Sequence, residues 1–280
     1  MRSLLKSLLP VSVIVQLQNW RDRGRLRAAL DSTENQEEWS DGVIEAAQRE
    51  LNSTALNRAG EAREKFKKIE ALRAEWGRKP GVISIHDFGA AHSNGALQPP
   101  GVTIDLSYRH MFVYSSSSLV YGSFYHHLVR GMSLHRVLEL GTNVGMSGSY
   151  IASALHLEGS GRLVTLEGSE VSSNIARQIF EAQELQDQVN RVVGPFHETL
   201  SPCLEKHGPF DLVFVDGHHD GPATIRYFNQ IRPYVVPSGL IIFDDIRWNQ
   251  DMYNAWGEIK GHNALAGTLD FDQIGIVMVS

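Results

Sequence analysis

Carboxylates and glycines recur in one setting along the second half of the chain: the end of a short apolar run. Glu139–Gly145 closes VLEL, Glu167 closes LVTL, Gly194-Pro195-Phe196 follows RVV, Asp216 closes DLVFV and Asp244-Asp245 closes LIIF. Core packing has no use for such a pattern, because a buried carboxylate is costly unless paired. The carboxyl ends of parallel strands are, by contrast, where open α/β sheets bind ligands. After Gly145 the residues Tyr150, Ile151, Ala154 and Leu155 fall at helical spacing. Arg136–Tyr150 therefore reads as strand, glycine turn, helix. Such a turn lets backbone approach a ligand closely, and the helix start offers unpaired N–H groups and partial positive charge.

Glu167 lies 26 residues beyond Gly141, where a carboxylate can accept both hydroxyls of a ribose. The phosphate-binding G-x-G-x-x-G is absent, since residues 141–146 read G-T-N-V-G-M, and the turn holds no lysine or arginine. A ribose acceptor without a pyrophosphate cradle suits an adenosine ligand that lacks phosphates, and S-adenosylmethionine fits. Asp216 with Asp244 and Asp245 puts hard oxygen donors at two neighbouring strand ends, a set that suits Mg²⁺, Ca²⁺ or Mn²⁺. Their structural alternatives are a cap on the cofactor pocket for Asp216 and a helix N-cap for Asp244-Asp245.

His219, three residues past Asp216, can act as a general base near neutral pH. Its neighbour His218 is the other candidate to face the crevice, and a loop histidine without a role is the plainer alternative. Trp248, Met252 and Trp256, spaced by four, are expected to pack a helix onto the sheet rather than line an acceptor pocket. His86, Asp87, His92 and His110 lack compact ligand spacing and read as polar loop residues.

The elements that must position these groups alternate from Arg136 onward. Strands at Val137–Leu140, Leu163–Glu167, Arg191–Gly194, Asp211–Asp216 and Leu240–Asp244 are separated by helices at Ser147–Leu157, Ser172–Leu185, Glu198–Lys206 and Pro222–Ile231, and a helix at Gln250–Lys260 follows. Near-continuous apolar strands between helices predict an α/β fold with a parallel sheet covered on both faces. Thr268–Phe271 and Ile274–Val279 form a closing hairpin, so the last strand should be antiparallel. Upstream, residues 11–30 predict a helix. Residues 41–76 predict a long amphipathic helix with an interruption near Asn52-Ser53, Val82–Asp87 a strand, and residues 88–101 a loop. The expected division is a helical N-terminal extension over residues 1–80 and a cofactor domain over residues 81–280.

Composition sets outer bounds. The 280 residues are 42% hydrophobic and 21% charged, with net charge −6 and one cysteine, Cys203. The acidic balance argues against nucleic acid as a partner, and a single cysteine excludes an internal disulfide and suits the reducing cytoplasm. No membrane span is expected, and residues 1–20 read as an amphipathic helix rather than a signal peptide. The N-terminal helices offer a homodimer surface as an alternative to a solvated face.

Residues 112–280, about three fifths of the chain, resemble the class I S-adenosylmethionine-dependent methyltransferases, closest to the O-methyltransferase-like group called methyltransferase family 24. The resemblance rests on VLELGTNVGMSGSYIASAL, LVTLEGS, IARQIF, FDLVFVDGHH, TIRYF, LIIFDDIRW and the closing hairpin. It implies a Rossmann-like seven-stranded sheet and a small-molecule acceptor. It also implies that Glu139, Gly141 and Gly145, with Thr142, Asn143 and Ser147, line the methionine part of the cofactor. Glu167 and Gly168 would then hold the ribose, Gly194, Pro195 and Phe196 the adenine, and Asp216 would touch cofactor and reaction alike. Catechol-type and caffeoyl-CoA-type relatives hold a divalent ion through an aspartate and an Asp-Asn pair. Here the pair is Asp-Asp, and His219 stands where the catechol-type enzymes carry a lysine. The expected activity is O-methylation of a small hydroxylated acceptor. N-methyl or aminopropyl transfer, or a non-catalytic binding role, are the alternatives.

Overall fold

A computed structural model of the chain describes residues 9–32, 41–52, 60–89 and 101–280. Three helices, α1 (Val11–Asp31), α2 (Asp41–Asn52) and α3 (Glu61–Trp76), precede a hairpin of β1 (Val82–Asp87) and β2 (Val102–Ser107). A π-helical turn, His110–Tyr114, and α4 (Leu119–Gly131) lead into the main sheet. There β3 (Arg136–Leu140), α5 (Met146–Leu157), β4 (Arg162–Glu167), α6 (Glu170–Ala182), β5 (Val189–Val193) and α7 (Phe196–His207) alternate. They are followed by β6 (Phe210–Val215), α8 (Gly221–Ile231), β7 (Val235–Phe243), α9 (Gln250–Lys260), β8 (Leu265–Phe271) and β9 (Ile274–Val279).

The strand order is β5-β4-β3-β6-β7-β9-β8, with β9 antiparallel to both neighbours and the other pairings parallel. The predicted α/β class, seven-stranded sheet and antiparallel last strand are as observed. Successive strands step outward from β3 through β4 to β5, and the chain then returns to place β6 on the other side of β3. That reversal is the topological switch point, where ligand crevices form.

Period-two alternation divides the sheet into two cores. Val137, Leu163, Leu212, Phe214, Leu240 and Ile242 face α4, α5 and α6, whereas Leu138, Leu140, Leu166, Val213, Val215 and Ile241 face α7, α8 and α9. Leu26 and Ala29 of α1 and Val43, Ala46 and Ala47 of α2 are buried in the first of these clusters. Glu50 of α2 is buried there too, receiving hydrogen bonds from Arg23 and Ser123. Among the described residues no helix is long and apolar enough to cross a membrane.

The interruption expected near Asn52-Ser53 falls where α2 ends at Asn52, and α3 starts at Glu61; residues 53–59 lie outside the described residues, as do residues 90–100 and with them His92. One upstream feature differs from expectation. Residues 102–107 form β2, paired in antiparallel register with β1 from Val82↔Ser107 to Asp87↔Val102. Most of the β2 side chains are exposed, so VTIDLS carries no continuous apolar run to announce a strand.

Arg73 of α3 fastens the π-helical turn to the body. Its guanidinium is buried, pairs with Glu70 at 2.9 Å, and donates to the carbonyl oxygens of Phe112 at 2.8 Å and Ser117 at 2.6 Å. Arg73→Ala strands Glu70 and two carbonyls and should cost roughly 3–5 kcal/mol. Lys68→Ala removes only an exposed pair with Glu184 and should cost under about 1 kcal/mol. Urea unfolding of both variants checks the contrast, and equal costs would refute it.

Candidate active site

The glycine turn is fixed by one very close approach. Gly141 leaves β3 with φ +103°, and a Cβ built on it would lie 1.9 Å from the carbonyl oxygen of Asp216. The Gly141 and Thr142 N–H groups both donate to Leu166 O, at 3.0 and 3.1 Å, and Asp216 N donates to Leu140 O at 2.9 Å. Backbone pairing thus carries past the ends of β3, β4 and β6 at the switch point. Gly145, at φ +81°, starts α5 without a side-chain cap.

Glu139 lies behind this turn. It is fully buried, and Ser147 Oγ and Thr165 Oγ1 each donate to its carboxylate at 2.6 Å. The single Thr165 proton is used there, so Thr142 Oγ1 donates to Thr165 Oγ1 at 2.5 Å. Burial pushes the Glu139 carboxyl up to about 7, and the two hydroxyl donors oppose the shift. Glu139, Thr142, Gly145, Ser147 and Gly194, all expected at the ligand, line neither of the two cavities at the strand ends. Glu139, Thr142 and Ser147 brace the turn from beneath.

The first cavity, about 410 Å³, is lined by Glu167, Gly168, Pro195 and Phe196 from the sheet side. Asn143 N donates to Glu167 Oε2 at 2.7 Å and Ser169 N to Oε1 at 2.8 Å. Each carboxylate oxygen therefore keeps capacity for one further donor. Burial pushes Glu167 up to about 7 against those amides. Phe196 meets the Tyr227 ring edge-on at 5.7 Å and would sit 2.9 Å from a Cβ on Gly217. These glycine cradles and the half-satisfied Glu167 fit an adenosine ligand such as S-adenosylmethionine in shape and donor chemistry.

The second cavity, about 820 Å³, is lined by Asp244, Asp245 and Trp248 together with Asp22 and Arg25 of α1. Gly141, Asn143, Asp216 and His219 line both cavities, which therefore meet at these residues. Asp216 is held well above the usual carboxylate range by burial first, then by Asp244 and Asp245. Asp244 is pushed up to about 8 by burial and by Asp245, whose N–H it accepts at 2.8 Å. Among the described residues no lysine or arginine pairs with these three acids. Their one ion-pair partner is His219, whose Nδ1 lies 3.6 Å from Asp245 Oδ2. Such uncompensated hard donors suit a divalent ion in chemistry, although no three His, Cys, Asp or Glu among the described residues form a ready-made cage.

His218 and His219 both adopt positive φ, +74° and +43°, a conformation that costs a non-glycine residue energy. His218 Nδ1 sits 2.9 Å from Tyr227 OH, while its buried Nε2 has no partner among the described residues. The three residues expected to pack as one helical face divide, because Met252 and Trp256 lie in α9 while Trp248 precedes it. Trp256 is buried and donates to Asp270 Oδ1 at 2.7 Å, and Met252 is buried against Thr224, as packing residues should be. Trp248 is 66% exposed, lines the second cavity and lies 5.8 Å from the His219 ring. Sequence reasoning missed the walls given by α1, by β1 and by Phe88 just past it. Of the polar residues read as bland loop, His86 and Asp87 line the first cavity and His110 lines both.

Residues 138–246 match the family model described as a methyltransferase domain. Over that stretch the chain is similar to methyltransferase domains. A catechol O-methyltransferase of Mycobacterium tuberculosis is 31% identical over 153 residues, which are 55% of this chain and 61% of that protein. A catechol O-methyltransferase of Niastella koreensis is 32% identical over 126 residues, 45% of this chain and 55% of that one. The chain thus spans less than two thirds of these curated relatives. The structure of an O-methyltransferase from Bacillus cereus in complex with SAH shares the fold, with TM-score 0.57 at 21% identity over 84% of this chain and 97% of that one. The matched domain contains Gly141, Glu167, Asp216, His219, Asp244 and Asp245 and excludes α1, β1 and β2.

The raised acids fix a sign for pH dependence. Glu139 and Asp244, with ordinary values of 4.5 and 3.8, are pushed up to about 7 and about 8. The folded protein thus holds protons that the unfolded chain has released, and its stability falls as pH rises through that window. Thermal midpoints in chelator should decline from about pH 5.5 to about pH 8.5, and Asp244→Asn should flatten the decline. A midpoint that climbs over this range contradicts the electrostatic account.

Proposed function

We propose that the protein is an S-adenosylmethionine-dependent O-methyltransferase acting on a small hydroxylated acceptor. The observation that carries the reading is the meeting of two cavities at Gly141, Asn143, Asp216 and His219. One holds a carboxylate prepared for ribose hydroxyls, and the other is polar and acid-lined. The methyl donor occupies the first cavity, with Glu167 accepting the ribose hydroxyls and the Gly141–Gly145 backbone close to the methionine portion. The acceptor occupies the second, with its hydroxyl directed at the junction. Transfer then needs the hydroxyl oxygen in line with the sulfur–methyl bond, and holding both partners in that geometry supplies much of the rate.

His219 is the group that takes the acceptor proton, with Asp245 at 3.6 Å orienting its Nδ1 side. Trp248 offers an aromatic wall beside the histidine. Asp216, Asp244 and Asp245 are the side chains that would hold a divalent ion. Such an ion, when bound, lowers the pKa of a bound hydroxyl.

Calorimetry with S-adenosylhomocysteine should show binding to the whole chain. Methyl transfer to a simple catechol, read by mass spectrometry, tests the acceptor class; absence of both binding and transfer removes the reading. His219→Ala should lower kcat by about 10²–10⁴-fold, while affinity for S-adenosylhomocysteine stays within about twofold. Stripping divalent ions with chelator should abolish transfer and restored Mg²⁺ should recover it. Full activity after stripping takes the ion out of the mechanism.

A further inference from the structure

The segment IHDFG at the end of β1 has no chemical role in the proposed function, yet all five of its residues, Ile85, His86, Asp87, Phe88 and Gly89, line the first cavity. The hairpin that delivers it is anchored from below. Ile83 is 5% exposed and packs with Ile175 and Ile179 of α6 and with Met111. At the top, Asp87 Oδ1 accepts from Gly89 N at 2.8 Å and turns the chain just past Phe88. Phe88 belongs to none of the apolar clusters and is only half-buried, so its ring is left to the cavity.

The position of that ring is informative. A Cβ on Gly168 would lie 2.6 Å from Phe88 Cδ2 and 2.9 Å from Cε2, so the edge of the ring rests on the residue directly after Glu167. His86 holds the ring from the side, edge-on at 4.8 Å. Phe196 of α7 contributes a second aromatic side chain to the same cavity. A nucleoside whose ribose hydroxyls reach Glu167 must carry its base past Gly168, between surfaces to which Phe88 and Phe196 contribute. The hairpin also feels the ribose acid directly, since Asp87 adds to the upward push on Glu167.

We propose that the β1–β2 hairpin is the roof of the nucleobase slot, with Phe88 stacking on the purine above Gly168. This rests on the cofactor reading given above and adds to it the element that grips the base. It also accounts for Gly168, because any side chain there displaces the Phe88 ring.

Calorimetry with S-adenosylhomocysteine tests it. Base–aromatic stacking is worth about 1–3 kcal/mol, so Phe88→Ala should raise Kd by about ten- to hundredfold. Its thermal midpoint should remain that of the parent protein, because the ring lies outside the core clusters. Phe88→Trp should keep Kd within about threefold, and its added fluorescence, relative to the parent, should be quenched by the ligand. If the parent binds S-adenosylhomocysteine and Phe88→Ala binds equally well, the hairpin proposal is overturned and the cofactor reading stands. If the parent does not bind it, both fall together.

Discussion

The approach of the Gly141 backbone to the Asp216 carbonyl is the constraint on which the site depends. It occurs where β3 and β6 separate at the switch point, and a single methyl group would have to occupy space 1.9 Å from that oxygen. Close-packed interiors have no slack to absorb such an intrusion. Separating the two strand ends would carry Asn143 away from Glu167, whose Oε2 it holds at 2.7 Å. It would also move Asp216 relative to Asp244, whose N–H is still paired to Val215 O at 2.9 Å. One contact therefore sets the spacing of the ribose acid, the junction acid and the paired aspartates.

The acids around this contact serve two different ends. Glu139 projects onto the sheet face that is otherwise apolar, and its cost is offset by Ser147 and Thr165, with Thr142 completing the chain of hydroxyls. A fully engaged carboxylate of this kind rigidifies the turn. Asp216 and Asp244 have no such hydroxyl partners; burial raises the proton affinity of both, Asp244 and Asp245 raise that of Asp216 further, and Asp245 that of Asp244. Carboxylates that a fold leaves mutually repelling in a cleft are the ones poised to meet an external ligand or proton. Similar residues in similar sequence contexts thus separate into brace and reagent by their position along the strand, Glu139 lying inside β3 and Asp216 and Asp244 just past the ends of β6 and β7.

That separation marks the limit of what the sequence discloses. Apolar runs between helices gave the parallel sheet and its antiparallel last strand because those strands are buried on both faces, and burial on both faces leaves an unbroken apolar signature. Strand-end acids were legible for the converse reason, since each interrupts such a run. Whether an acid meets a cleft or lies beneath a turn depends on how far its strand runs relative to the neighbouring strands, as with Glu139 opposite Thr165 inside β4, and no single segment contains that information. Phe88 and β2 were illegible because their partners are distant in sequence. Phe88 meets Gly168 eighty positions away, and β2 is a half-exposed strand that pairs with β1.

The two cavities share a division of labour that follows from this geometry. The matched domain over residues 138–246 supplies the strand ends, and hence every group placed at the junction where the cavities meet except His110 and Ser115. Opposing walls come from elsewhere: the β1–β2 hairpin over the first cavity, and α1 with the β8–β9 turn over the second, where Arg25 reaches Asp272 at 3.6 Å and Gln273 at 3.0 Å. Arg25 also lies 4.0 Å from Asp22, which is nearly fully buried beside it. These walls are tied to the body by buried polar networks, Arg73 for the 110–117 turn and Glu50 with Arg23 for α1. Chemistry at the junction can then stay constant while the shape and charge of the acceptor cavity change with the helix laid over it. On the proposed function, selectivity for the acceptor follows from α1 and the β8–β9 turn, and the reaction from the strand ends.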